Sequence, residues 1–394
     1  MVRQQPDLNN PNMGSPLPSE HVADTLALRD LHGQWIICVI AGMILVVAGY
    51  FLLTSVWEAA FALRWAIVTS AIVVYEMIAL WRGLRKNHPP RDLELLPQLG
   101  LGNVLSITRG MLVASVAGFL LCPRPEGWLA WTPAILYITG DILDYLDGLV
   151  ARLTKHQTEL GEYLDLEFDG LSTLVGPLLG ILYGQFPIWY FAVSAARYLF
   201  VTGLWILKQY NKPSYPLTPS NLRRVLAGFQ MSFIGVALLP VFSPAEVWIA
   251  AGVFMVPFMA SFIRDWLIVS GTVQPASSIY QVAIRQIESI FGGFLPIGLR
   301  VIVLISSISL GLFLFNAAKP VQGLVMISAC ILISMGIAAR TVSLLLLITT
   351  GLLFPIISPS TVGLIISTAA LTLLGSGKLS IWKPEEYFLS RRFG

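Results

Sequence analysis

Runs of about twenty apolar residues recur from residue 34 to residue 376. A run of that length is what an α-helix needs to cross the hydrocarbon core of a bilayer, roughly 30 Å thick. The runs predict twelve membrane helices, near 34–54, 60–81, 103–121, 128–151, 161–183, 188–207, 222–241, 247–270, 297–316, 321–339, 341–354 and 361–376. The run at 341–354 is short and reads as re-entrant or strongly tilted. Composition agrees: 56% of the 394 residues are hydrophobic and 12% are charged, where soluble domains carry about 25% charged residues. The expected fold class is all-α, a polytopic membrane helical bundle.

The basic residues test the count. Numbering the loops alternately puts 18 Lys and Arg residues on the side of the N-terminus. Arg124 and Lys319 stand alone on the other. Positive loops stay in the cytoplasm, so both termini are expected there. Arg64, Arg109, Arg197, Arg264 and Arg300 remain inside or at the ends of spans. The net charge of +3 gives no indication of nucleic-acid binding. Cys38, Cys122 and Cys330 lack metal-type spacing, so neither zinc nor a disulfide is expected. The first 30 residues are polar and carry no signal-peptide pattern; residues 1–33 read as a cytoplasmic tail.

One predicted span ends in "GDILDYLDGLVAR", and the next begins "ELGEYLDLEFDG". A charged side chain near the bilayer centre costs roughly 2.5–3.5 kcal/mol even on mild scales. Asp144 and Asp147 are i,i+3 neighbours, and Asp165 and Asp169 are i,i+4 neighbours. The polar link between the two helices is short, so they must be antiparallel neighbours, with four carboxylates converging near the cytoplasmic surface. Salt bridges with Arg152 and Lys155 explain one or two aspartates, not four. Carboxylates at such range need cations, and hard oxygen ligands suit Mg2+, Mn2+ or Ca2+. Four negative charges balance two divalent ions. Asp141 lies one turn earlier.

The string D-x2-D-G-x2-A-R-x8-G-x3-D-x3-D, from Asp144 to Asp169, resembles the signature of the CDP-alcohol phosphotransferases without a departure. "GNVLSITRG" is similar to the start of that family's first core helix, an Asn-x2-Thr-x2-Arg pattern in which Ser106 stands for threonine. The resemblance covers about residues 95–271 and implies a six-helix catalytic core. Two spans would precede it (34–94, with a linker and a short interfacial helix), and a connector with four spans would follow (272–394). It implies transfer of a phosphatidyl group from CDP-diacylglycerol, or another CDP-linked donor, to an alcohol with release of CMP. It also implies Mg2+ or Mn2+ as cofactor and a homodimer. By the same resemblance Asp144, Asp147 and Asp165 hold metal, and Asp169 is the general base and a shared ligand. Gly148, Ala151 and Gly161 let the nucleotide approach, with Asp144 beside it, and Arg152 meets a phosphate.

Arg197, Arg224 and Arg264 look like the acceptor-phosphate arginines of the branch that uses phosphorylated alcohols. Asp265 beside Arg264 reads as a poor partner, and Arg223 as a headgroup anchor. An unphosphorylated acceptor is the alternative. A transporter or scaffold with an ion path is a further one, but it has no need of Gly148, Ala151 and Arg152 at those offsets. Arg64 and Glu76 receive no chemistry. The last four spans resemble the DoxX-type membrane family in "GIAARTVSLLLL" and "GSGKLSIWKPEEYF"; lipid-facing structural helices are the preferred reading.

Overall fold

The computed structural model describes residues 18–216, 221–354 and 358–384. Its regular elements are helices, apart from one isolated bridge pairing Ile337 with Trp382. The chain divides into two compact units. One comprises the residues up to Cys122 with Thr139–Leu171, the other Pro123–Ile138 with the residues from Ser172 onward.

The first unit contains α1 (Pro18–Val56), α2 (Ala59–Gly83) and α3 (Gly100–Ala117), with a 3-10 turn at Gly118–Leu121. It also takes in most of α4 (Thr132–Leu153) and the first half of α5 (Glu159–Leu182). Only Trp57 and Glu58 separate α1 from α2, so the two pack as an antiparallel hairpin. Ile37, Ile40, Ile44, Val47 and Phe51 recur at helical spacing on α1 and are exposed, as a lipid-facing stripe requires. Leu31, Leu80, Leu84, Leu160, Leu164 and Phe168 form the buried core.

Two expectations change here. The tail expected over residues 1–33 is helical from Pro18 onward. Ala27 and Leu31, one turn apart, are buried, and His32 stacks on Trp81 with ring centroids 4.5 Å apart. A small apolar stripe within a polar segment was enough to prolong the helix. The interfacial helix expected before the core is only a 3-10 turn, Leu84–Lys86. Pro89, Pro90 and Pro97 deny helical hydrogen bonds to the rest of that linker. Side chains hold it instead: Asn87 Nδ2 donates to the carbonyls of Leu96 and Gln98, each at 2.9 Å, and Gln34 Nε2 donates to that of Pro97 at 2.7 Å.

The second unit contains α6 (Phe191–Gln209), α7 (Asn221–Ala237), α8 (Pro244–Val269) and α9 (Ser278–Ser289). A π-helical turn, Ile290–Phe294, joins α9 to α10 (Leu295–Asn316). Three shorter helices follow: α11 (Pro320–Met335), α12 (Ala339–Leu353) and α13 (Pro359–Leu374). A capping box of Ser243 and Glu246 opens α8, and Gly336, at φ 67°, closes α11. Val303, Cys330, Ile333, Leu346, Leu364 and Leu371 form its C-terminal core.

Each of the twelve apolar runs coincides with a helix of the structure. By length and composition, six helical stretches among the described residues can cross a membrane: Asp24–Val56, Ala59–Lys86, Gly100–Leu121, Ile188–Gln209, Pro244–Val269 and Ser278–Asn316. α4 and α5 dilute their apolar residues with carboxylates, and α7, α11, α12 and α13 run 15–17 residues.

Trp65 on α2 pins the first unit together. Its indole Nε1 donates to the Ser115 carbonyl at 2.8 Å. Cβ atoms built at Gly49 on α1 and at Gly118 would lie 2.3 and 2.4 Å from its ring. Gly118 has an ordinary helical φ of −52°, so a substitution there acts through the clash alone. Gly118→Val should destabilise the protein by about 1–3 kcal/mol, read as a lowered melting temperature in detergent. An unchanged melting temperature would show that Trp65 is free to move aside.

Candidate active site

The first unit brings the carboxylates together. Asp144 and Asp147 project from α4, and Asp165 and Asp169 from α5. Oxygens of Asp144, Asp147 and Asp165 lie within 4.8 Å of one another. Between the two helices stands Arg109 of α3, which is 2% exposed. Its Nη1 contacts Asp144 Oδ1 and Asp169 Oδ1, the latter at 2.9 Å, and its Nη2 meets Asp165 Oδ1 at 3.0 Å. Asp147 is buried and accepts a hydrogen bond from Ser106 Oγ at 2.7 Å. Serine at 106 therefore delivers the hydroxyl with no need of a threonine methyl.

The surrounding backbone explains how three helices approach so closely. A Cβ at Gly102 on α3 would lie 3.0 Å from the Ala151 Cβ and 3.3 Å from the Asp147 carbonyl oxygen. Ala151 therefore serves the crossing of α3 and α4. A Cβ at Gly161 would lie 2.8 Å from Asn103 Oδ1, so Gly161 makes room for Asn103. Their small size lets the helices close, and it is equally what the approach of a nucleotide requires. Gly148 differs: the one atom near its missing Cβ is Arg152 Nη1, at 3.4 Å, and Arg152 is exposed. Asn103 Nδ2 donates to the Leu99 carbonyl at 2.7 Å and to Thr158 Oγ1 at 3.1 Å, with Asn87 Oδ1 at 3.3 Å. This network ties the start of α3 to the α4–α5 turn and to the preceding linker.

The donor set fits a divalent cation. Four carboxylates face one guanidinium, which leaves an excess of negative charge, and every ligand atom is a hard oxygen. Asp141 is half-buried one turn earlier on α4.

Arg197, Arg224 and Arg264 all belong to the second unit. Arg197 is half-buried and Arg224 is exposed. Arg264 donates through Nε and Nη2 to Asp265 Oδ1, at 3.1 and 2.8 Å, and Arg223 Nη1 donates to Asp265 Oδ2 at 2.8 Å. Asp265 is therefore the partner of both arginines, against the expectation from its neighbouring position. It is buried, and a long arginine chain can fold back over the adjacent residue to satisfy it.

Arg109 is the site residue to which local sequence pattern assigns no role. Its signal was visible, because an arginine within a span faces the interior and pairs. Its partners lie 35 to 60 residues away, out of reach of local pattern.

The model of the CDP-alcohol phosphatidyltransferase family matches residues 99–374. This chain belongs to that family. The match runs past residue 271, where the motif resemblance ended, and takes in α10 to α13. Family membership and the apolar helices make the chain a multi-pass membrane protein. Among curated relatives, putative cardiolipin synthases of Mycobacterium bovis and Mycobacterium tuberculosis are 30% identical over 105 residues, 27% of this chain and 48% of theirs. A CDP-diacylglycerol–glycerol-3-phosphate 3-phosphatidyltransferase of Cereibacter sphaeroides is 29% identical over 106 residues, 26% of this chain and 47% of its own. The chain thus spans about half the length of the curated relatives it matches. No solved structure matches it.

The fit of Gly161 against Asn103 is testable by coupling. Gly161→Ala should destabilise the protein by about 1–3 kcal/mol, and the same change in an Asn103→Ala background should cost little more than Asn103→Ala alone. Additive losses in thermal denaturation would show that the two residues do not share this space.

Proposed function

We propose that the protein transfers a phosphatidyl group from CDP-diacylglycerol to an alcohol, releasing CMP, at a site on the cytoplasmic side of the cell membrane. The observation that carries this reading is the cluster of Asp144, Asp147, Asp165 and Asp169 around Arg109, in a chain of the CDP-alcohol phosphatidyltransferase family. The placement of both termini and the site in the cytoplasm rests on the 18-to-2 division of basic residues. A homodimer is part of the same reading.

Asp144, Asp147 and Asp165, together with Asp169, would hold Mg2+ or Mn2+, two ions by charge balance, and the metal would supply charge neutralisation at the donor diphosphate and the departing CMP. Asp169 accepts the proton of the acceptor hydroxyl. The hydroxyl oxygen forms the new bond to phosphorus as the bond to the CMP oxygen breaks. Ser106 holds Asp147 in place by its hydrogen bond. Gly148 leaves the helix surface open for the nucleotide beside Asp144, Ala151 and Gly161 keep the adjoining backbone approachable, and Arg152 is exposed one turn along to meet a phosphate.

The acceptor in this reading is a phosphorylated alcohol, with glycerol 3-phosphate, named for the relative from Cereibacter sphaeroides, and inositol phosphate as the candidates. Arg197, Arg224 and Arg264 would supply the fixed positive charge that a dianion needs. A second reading, an unphosphorylated alcohol, is favoured by the engagement of Arg264 with Asp265.

Asp144→Asn, Asp147→Asn or Asp165→Asn should each lower CMP release by at least about a hundredfold, a loss of roughly 2.7 kcal/mol of transition-state stabilisation. Asp169→Asn should depress turnover far more than CDP-diacylglycerol binding. A double aspartate variant with near-normal turnover would sink the metal assignment, and parallel losses in the Asp169 variant would leave that residue as a ligand only. For the acceptor, Arg197→Ala should raise KM for the phosphorylated alcohol about tenfold, from a lost contact of roughly 1.5–3 kcal/mol, with the donor KM little changed. Preference of the parent enzyme for the free alcohol would decide for the second reading.

A further inference from the structure

Glu76 of α2 is 0% exposed, and neither carboxylate oxygen has a hydrogen-bond partner. It lies against the backbone beside Arg109: a Cβ at Gly110 would sit 3.1 Å from Glu76 Cδ and 3.2 Å from each carboxylate oxygen. Arg109 Nε is likewise buried without a partner. An unsatisfied acidic group thus lies buried against the residue that follows Arg109, whose own Nε is an unsatisfied buried donor. A buried carboxylate left without any partner is costly. Glu76 lies upstream of the family match, which begins at residue 99.

The opposite edge of the same guanidinium bonds to Asp144, Asp165 and Asp169. Those oxygens are the ones the reading above assigns to divalent cations. A guanidinium and a cation compete for them, because each lone pair taken by an N–H is withdrawn from metal.

We propose that Glu76 is a positioning residue for Arg109: it is the buried carboxylate that receives the guanidinium when the aspartates take a divalent cation. The proposal rests on the metal-dependent transferase reading. On this view α2 helps to set the cation affinity of the site. A side chain at Gly110 would displace the Glu76 carboxylate from its place against α3.

The test is Mn2+ binding to purified full-length protein in detergent, by calorimetry or electron paramagnetic resonance, with no turnover required. Glu76→Gln keeps shape and removes the receiving charge. The arginine then stays on the aspartates, and Mn2+ affinity should fall about tenfold. Glu76→Asp, which retains the charge, should recover most of that loss, and a merely structural role would not give this pattern. In an Arg109→Gln background, Glu76→Gln should change Mn2+ affinity less than twofold. Gly110→Ala gives an independent variant, expected to weaken Mn2+ binding in the same direction with Glu76 intact. Equal Mn2+ affinity in the parent and Glu76→Gln, both binding, overturns the role of Glu76 while the transferase reading stands. An equal drop on both backgrounds overturns the route through Arg109. A parent protein that binds no Mn2+ overturns both readings together.

Discussion

The contact of Arg109 with three aspartates is the interaction on which the first unit depends. A guanidinium 2% exposed would be prohibitively expensive alone, and so would carboxylates on two apolar helices. Together they hold α3, α4 and α5 at one depth and in one rotation. Gly102 and Ala151 let α3 and α4 come near enough for that contact, and Asn103 fills the space that Gly161 leaves. Packing and charge are thus one arrangement: the small residues close the helices, and the closed helices bring the charges together.

The two N-terminal helices are part of this arrangement. Tyr75 donates to Glu167 Oε2 at 2.5 Å, which links α2 to α5. Gly83 packs against Leu160 and Tyr163, and Lys86 lies over the Tyr163 ring at 4.3 Å. Gln34 on α1 both accepts from the Leu99 amide and donates to the Pro97 carbonyl, fixing the point where α3 begins. The helices that precede the family match therefore support α3, at whose start the match begins.

The second unit uses arginines differently, one half-buried and one buried. Arg340 Nη1 donates to the carbonyls of Thr372 and Leu373, which end α13, at 2.9 and 2.6 Å. Arg300 donates to the Leu379 carbonyl and to Ser380 Oγ. Both supply donors to carbonyls that a helix end or a loop leaves without partners. Cations that the sequence presents as span or loop charges serve here to close the C-terminal segment against the bundle.

The sequence by itself determined the helical class, the position of each apolar helix and the carboxylate pattern on α4 and α5. These follow from local regularities, run length and i,i+3 or i,i+4 spacing, that any helix imposes on its own residues. Tertiary structure alone decided which cation faces the carboxylates, that Asp265 holds Arg223 and Arg264, and that Ala151 and Gly161 lie against Gly102 and Asn103. It also decided that Pro18–Gly33 continues α1 and that Pro89 to Leu99 is held by side chains. The reason is reach. Each of these outcomes depends on a partner from another element, or on a close approach that only the assembled helices create, and no spacing along one helix encodes either.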